Sequence, residues 1–246
     1  MHSWLKLTWV ETKLFLREPG VYFALVFPLA FLFIFGSIYG NKPNAFLGGH
    51  GSLDYYLPAY IGILIIAVGF YSLPVAIINY RERGILFRLQ ATPLRPLTIL
   101  SAQMSANFLM TTVGAIVLVV AGKLFYHVHI TSSMPNVLIA YVISILSIFA
   151  LGFLMASIVP NARVAPIIGT LLFLSMFYLS GATVPLKVYP QVVQQIAWFL
   201  PLTHAIKLMQ DMWFGGNWFD HWVNVLALLG LLSVCLLLSA KLFRWR

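Results

Sequence analysis

The chain has 246 residues, 61% of them hydrophobic and 9% charged, with a mean hydropathy of +0.92. Soluble domains carry about 25% charged residues, so this composition excludes an ordinary soluble enzyme or binding module. The net charge of +9 forms no single-sided soluble patch for nucleic acid, and its placement follows membrane topology instead.

Lys6, Lys13 and Arg17 precede the first long apolar run. Arg81, Arg83, Arg88 and Arg95 lie in the second link, Arg163 in the fourth, and Lys241, Arg244 and Arg246 at the end. Only Lys42, Lys123, Lys187 and Lys207 fall in odd-numbered links. Basic residues accumulate on the cytoplasmic side, which predicts a multi-pass protein of the cell (inner, cytoplasmic) membrane with both termini inside. An even number of spans requires the same arrangement. Residues 1–18 place Lys6, Lys13 and Arg17 on one narrow helical stripe among tryptophans and leucines, a pattern that predicts a helix lying in the inner interface. No cleavable signal pattern precedes the first apolar run, and Cys235, alone, offers no disulfide.

Six apolar runs predict spans at about 21–39, 57–78, 98–124, 137–159, 164–182 and 222–243. The fold class is therefore all-α integral membrane, a single domain over residues 1–246. Pro28, Pro58 and Pro74 fall in the first two spans, where they predict kinks. Gly152, Ala156, Ser157 and Gly169 allow close helix approach. Between residues 183 and 221, apolar pieces at 192–200 and 205–214 are too short to span and predict short re-entrant helices in the outer leaflet. Thr203 is placed to cap the second piece and Gly215-Gly216 to end it.

Absences narrow the chemistry. The sequence contains no phosphate-binding loop, no His-Glu-x-x-His and no Gly-x-Ser-x-Gly, so neither ATP hydrolysis nor protease or esterase chemistry is expected of it. No catalytic residue, metal site or cofactor bound by this chain is predicted. His127 and His129 have no third ligand nearby and read as polar loop residues; His204 and His221 have no partner legible in the sequence. Span interiors carry neutral polar groups only, notably Gln103, Ser105, Asn107, Thr111 and Thr112 in the third. Gln103 and Asn107 share a helix face and either line a pathway or bond a neighbouring helix. The missing intramembrane charges count against an autonomous secondary transporter or channel, which remains the alternative of a different class. A membrane enzyme acting on lipid is disfavoured by the lack of a nucleophile–base pair.

The sharpest local feature is Arg81–Leu94, RERGILFRLQATPL. Gly84 permits a sharp turn, Ile85, Leu86 and Leu89 gather on one side of a short helix with Arg88 off that face, and Pro93 stops it. Such a helix suits docking into a partner groove, and an ordinary positive-inside loop is the other reading.

Four segments together resemble the membrane subunits of type-2 ABC exporters, the permeases grouped with daunorubicin-type drug export and polysaccharide export. They are FLREPGVYFALVFP (15–28), RERGILFRLQATPL (81–94), LSGATVPLKVYP (179–190) and WFLPLTHAIKLMQDMWFGG (198–216). The resemblance implies a non-catalytic permease that pairs with a second copy, as homodimer or heterodimer, and with separate ATPase subunits that bind ATP-Mg. It implies that residues 80–93 form a cytoplasmic coupling helix, with Arg81, Glu82, Arg83, Gly84, Ile85, Leu86, Arg88, Leu89, Thr92 and Pro93 engaging the ATPase. Ser180, Gly181, Pro185, Pro201, Leu202 and Thr203 would belong to an external gate. The expected function is ATP-driven export of a lipophilic drug or lipid-like, amphiphilic substrate from the cytoplasm or inner leaflet, with polysaccharide or glycolipid export as the alternative on the same fold. Membrane lipid and the ATPase are the expected partners, and nucleic acid is not.

Overall fold

The computed structural model describes residues 2–17, 19–44, 47, 49–85 and 96–242. Over these the chain is helical, with one isolated β-bridge between Pro43 and Gly51. The helices are α1 (His2–Phe15), α2 (Pro19–Tyr39), α3 (Ser52–Ala67), α4 (Leu73–Glu82), α5 (Pro96–Tyr126), α6 (Met134–Ile158), α7 (Val164–Leu179), α8 (Gln191–Trp198), α9 (Pro201–Trp213) and α10 (Trp222–Leu242). Among the described residues five helices are long and apolar enough to cross a membrane: Gly20–Tyr39, Ser52–Glu82, Ser101–Tyr126, Met134–Ile158 and Trp218–Leu242. The chain is thus a multi-span membrane protein.

Where a sixth span was expected over 164–182, α7 has 16 residues. That is about 24 Å of helix against roughly 30 Å of hydrocarbon. The helix stops at Leu179 because Gly181, at φ 87°, turns the chain. The structure therefore holds five full-length spans and one shorter apolar helix.

The centre of the bundle is the rod formed by α3 and α4, whose apolar window is almost wholly buried. A π turn, Val68–Ser72, joins its halves, and Pro74 explains it. Proline cannot donate to the carbonyl four residues back, and its ring crowds that oxygen. Widening the helix by one residue relieves the clash, and the Leu73 N–H bonds Val68 O instead. The carbonyls so displaced are where neighbouring helices come closest. A Cβ on Gly152 of α6 would sit 2.1 Å from Gly69 O, and one on Gly169 of α7 would sit 2.6 Å from Phe70 O. Glycine is needed at both places, and the two glycine-bearing helices grip the π turn from different sides. Tyr71 adds a hydrogen bond to Thr170 Oγ1 at 3.1 Å, and Ser147 of α6 donates to Leu228 O of α10 at 2.9 Å.

α1 packs along α5. Its buried side chains are Glu11, Thr12 and Phe15, while Trp9, Val10 and Leu14 are exposed. Polar residues face the protein and large apolar ones face outward, the reverse of a soluble surface helix and the pattern of one that meets lipid.

Candidate functional site

Four regions carry the polar and aromatic side chains that the packing does not consume. At the cytoplasmic end of the rod, α4 ends at Glu82, Arg83 is the C-cap and Gly84 adopts φ 62°, the left-handed turn expected of it. Arg81 reaches across to the end of α6. Its guanidinium donates to Ala156 O at 3.3 Å, to Pro160 O at 3.2 Å and to Val159 O. A cation there satisfies carbonyls that the helix end leaves orphaned, and it complements the negative end of the dipole. Glu82 Oε1 accepts the Ala162 N–H at 2.9 Å. Adjacent residues of α4 thus hold both sides of the 159–163 link between α6 and α7, a connection that the sequence pattern did not reveal. Ile85 is half-buried. Leu86, Arg88, Leu89, Thr92 and Pro93 lie outside the described residues.

Beside this end, α1, α4 and α5 enclose a cavity of about 240 Å³. Among its lining residues are Glu11, Arg17, Asn79, Tyr80, Arg83, Gln103 and Asn107, with Leu14, Phe15 and Ile85. The structure brings Gln103 and Asn107 into the same cavity as Arg83 and Ile85, which the sequence had placed in a separate segment. Asn107 Nδ2 donates to Gln103 O at 2.9 Å, within its own helix. The oxygens Gln103 Oε1 and Asn107 Oδ1 are buried without a hydrogen-bond partner. Tyr80 donates to the buried Glu11 carboxylate, 2.9 Å from either oxygen. Sequence reading missed Glu11, although a signal existed. At 100° per residue it lies about 140° from Lys6, away from the basic stripe and among apolar residues.

The outer end is tied by main-chain and side-chain bonds. Asn41 Oδ1 accepts the N–H groups of Leu53 and Asp54 at 3.1 Å each, and its Nδ2 donates to Asp54 Oδ1 at 2.9 Å. Asp54 also takes the His129 N–H at 3.0 Å, and Trp213 Nε1 donates to His129 O at 3.1 Å. His129 acts here through its backbone. His204 bridges Asn224 Oδ1 (2.8 Å) and Trp198 O (2.7 Å), and His221 sits 3.0 Å from Asp211. Burial pushes the Asp211 carboxyl above the usual range, while His221 and Lys207 pull it back.

The two short outer helices appear as α8 and α9. Thr203 does not cap α9. The helix begins at Pro201, whose fixed φ suits the first position, with Leu200 as N-cap, so Thr203 falls in the first turn. Leu202 and Thr203 are buried, and the hydroxyls of Thr203 and Ser180 have no hydrogen-bond partner. Gly215 (φ 88°) and Gly216, whose N–H bonds Asp211 O at 2.8 Å, end α9 in a Schellman turn as expected. Pro185 lines a separate outer cleft, whereas Pro201 lies at the start of α9.

That cleft, about 820 Å³, is lined by Phe31, Phe35, Tyr39, Tyr56, Tyr60, Phe177, Tyr178, Tyr189 and Lys187 among others. It opens from a file of rings on one face of α2. Phe23, Phe27, Phe31, Phe35 and Tyr39 recur every fourth residue, with centroids 5.0, 4.8, 5.3 and 6.0 Å apart. Phe173 and Phe177 of α7 meet this file at 5.9 and 5.4 Å from Phe27 and Phe31, and Tyr60 of α3 meets Phe31 at 6.3 Å. Sixteen residues of helix make the file about 24 Å long, most of a bilayer core.

Two comparisons bear on this arrangement. The inner membrane transport permease YhhJ of Escherichia coli (strain K12) is 29% identical over 158 residues, which cover 63% of this chain and 42% of that protein. The protein of the same name from Shigella flexneri matches to the same extent. The matched region spans about two fifths of the length of these relatives. Residues 2–214 match the family described as ABC-2 type transporter. That match runs from α1 through α9, taking in the cytoplasmic staple, the inner cavity and the aromatic file, and the chain belongs to the ABC-2 type transporter family, whose members serve as non-catalytic transport subunits.

Proposed function

We propose that the chain is the permease subunit of an ATP-driven exporter, working as a pair of permeases with two separate ATPase subunits. Its cargo is a lipophilic or amphiphilic molecule carrying planar aromatic groups, taken from the cytoplasm or inner leaflet. The aromatic file of α2 carries this reading. Rings spaced about 5 Å apart offer successive apolar faces along the span, and stacked or edge-on contacts favour other rings. Lys187 is the one cation among the described lining of the outer cleft. Exchange between equivalent faces lets a guest move without being held at any one of them.

In the same reading, Arg81–Pro93 is the coupling segment and both termini are cytoplasmic. Arg81 and Glu82 brace it from within, and Arg83, Ile85, Leu86, Arg88 and Leu89 meet the ATPase. Ser180, Gly181, Pro185, Pro201, Leu202 and Thr203 belong to the outer gate.

The test is reconstitution in proteoliposomes with the ATPase encoded beside this gene, following efflux of a fluorescent aromatic dye. Efflux should require both ATP and the ATPase subunit. Phe31→Ala with Phe177→Ala should slow it about tenfold, the kinetic equivalent of about 1.4 kcal/mol, and leave ATP hydrolysis running. Efflux by this chain alone, or an unchanged rate in the double variant, refutes the reading.

A further inference from the structure

We propose that the inner cavity between α1, α4 and α5 is a resident site for the ammonium headgroup of an aminophospholipid from the inner leaflet. This site is separate from the transport reading above and stands without it. The acceptor set points to a cation with several hydrogens. Asn107 spends its amide hydrogen on Gln103 O, which identifies Oδ1 as the atom left over. Gln103 Oε1 is likewise buried and unpartnered, and both side chains line the cavity. Gln103 and Asn107 are 2% and 3% exposed. The third acceptor is the Glu11 carboxylate, itself buried, whose lone pairs accommodate about four hydrogen bonds, so the Tyr80 hydroxyl does not exhaust it. Two amide oxygens and a carboxylate match the three N–H donors of a primary ammonium, and the carboxylate supplies the countercharge that a buried cation needs.

The rest of the lining suits the remainder of such a lipid. Arg17 and Arg83 lie on the same cavity and carry the charge that complements a phosphate. Leu14, Phe15 and Ile85 complete the wall, and α1 turns Trp9, Leu14 and Leu16 outward where acyl chains would run. A volume of about 240 Å³ holds a headgroup and leaves the chains outside. A glycerol headgroup would bring no positive charge to the carboxylate, and a quaternary ammonium would bring no hydrogens to the amide oxygens.

The test is native mass spectrometry of the full chain, released from micelles doped equally with phosphatidylethanolamine, phosphatidylglycerol and phosphatidylcholine of identical acyl chains. Phosphatidylethanolamine should be retained about fivefold over the other two, a difference of about 1 kcal/mol. That preference should vanish in Glu11→Gln, which keeps an acceptor for Tyr80, and in Asn107→Leu. Equal retention of the three lipids by the wild-type chain overturns the proposal whether or not the variants fold. A preference that persists in a folded Glu11→Gln also overturns it. Displacement of the lipid by millimolar O-phosphoethanolamine would assign the ammonium to a soluble source and overturn the lipid identity.

Discussion

Replacing Gly152 by alanine tests the account of the π turn directly. The new methyl carbon would stand 2.1 Å from Gly69 O, a backbone atom with no rotamer to yield. Reaching even 3.0 Å, below which such contacts are essentially unknown, requires α6 and the rod to part by about 0.9 Å. Parting them would also loosen Gly69 against Ile148 and Phe149, which lie within 3.1 and 3.5 Å of a Cβ built there. Forcing an extra carbon into a filled interface costs about 1–3 kcal/mol. For a chain of this length that corresponds to a fall of about 2–12 °C in Tm. Gly230→Ala on α10, where nothing lies within 4 Å, is the control and should match or slightly exceed wild type, since alanine favours helix by about 1 kcal/mol. Thermal unfolding in detergent, followed by tryptophan fluorescence, reads both. Equal midpoints for Gly152→Ala and Gly230→Ala would refute the argument that the displaced carbonyl dictates glycine on α6.

Other outcomes follow from the same contacts. Arg81→Ala removes the donor shared by three carbonyls at the end of α6, and should cost about 2 kcal/mol and speed amide exchange at residues 159–163; Arg81→Lys, a point charge without the fork, should recover only part. Asn41→Ala should cost about 1–2 kcal/mol through the lost cap of α3, and Asn41→Asp should do no better because it sets a second carboxylate against Asp54 where the amide nitrogen now lies at 2.9 Å. Desolvation raises the Asp211 carboxyl above its ordinary 3.8, so the folded chain binds that proton more tightly than the unfolded one. Its contribution is largest at acid pH and falls as pH rises through the window between those two values. Unfolding midpoints of wild type against Asp211→Asn should therefore converge differently above and below that window, and parallel pH curves would exclude the effect.

Much of the architecture was legible because membrane spans announce themselves by length and apolarity. Helices begin within five residues of the expected boundaries, as with α6 at Met134 against 137 and α10 at Trp222. The short outer pieces were recognisable as too brief to cross. The proline rule marked Pro74 as a disturbance but could not say that relief would come as a π turn rather than a bend, because that depends on glycines 152 and 169 lying opposite. The cap assigned to Thr203 failed for a local reason: Pro201 already fits the first helical position, which pushes the boundary two residues earlier. The polar cavity was invisible as a unit, since its members come from residues 11, 80 and 103–107 and meet only through packing. The aromatic file was present as a four-residue repeat in α2, yet hydrophobic composition alone gave no reason to separate it from ordinary lipid-facing phenylalanines.

The adjacency of Arg81 and Glu82 has a mechanical corollary. One residue clasps the tail of α6 and the next clasps the lead-in to α7, so α4 works as a yoke across two helices. A thrust delivered near Ile85 would be shared between both at once, and the pair carrying Gly152 and Gly169 would travel together with the π turn instead of sliding past it. Cutting either clasp should leave a bundle that still stands but transmits motion to only one of its two followers.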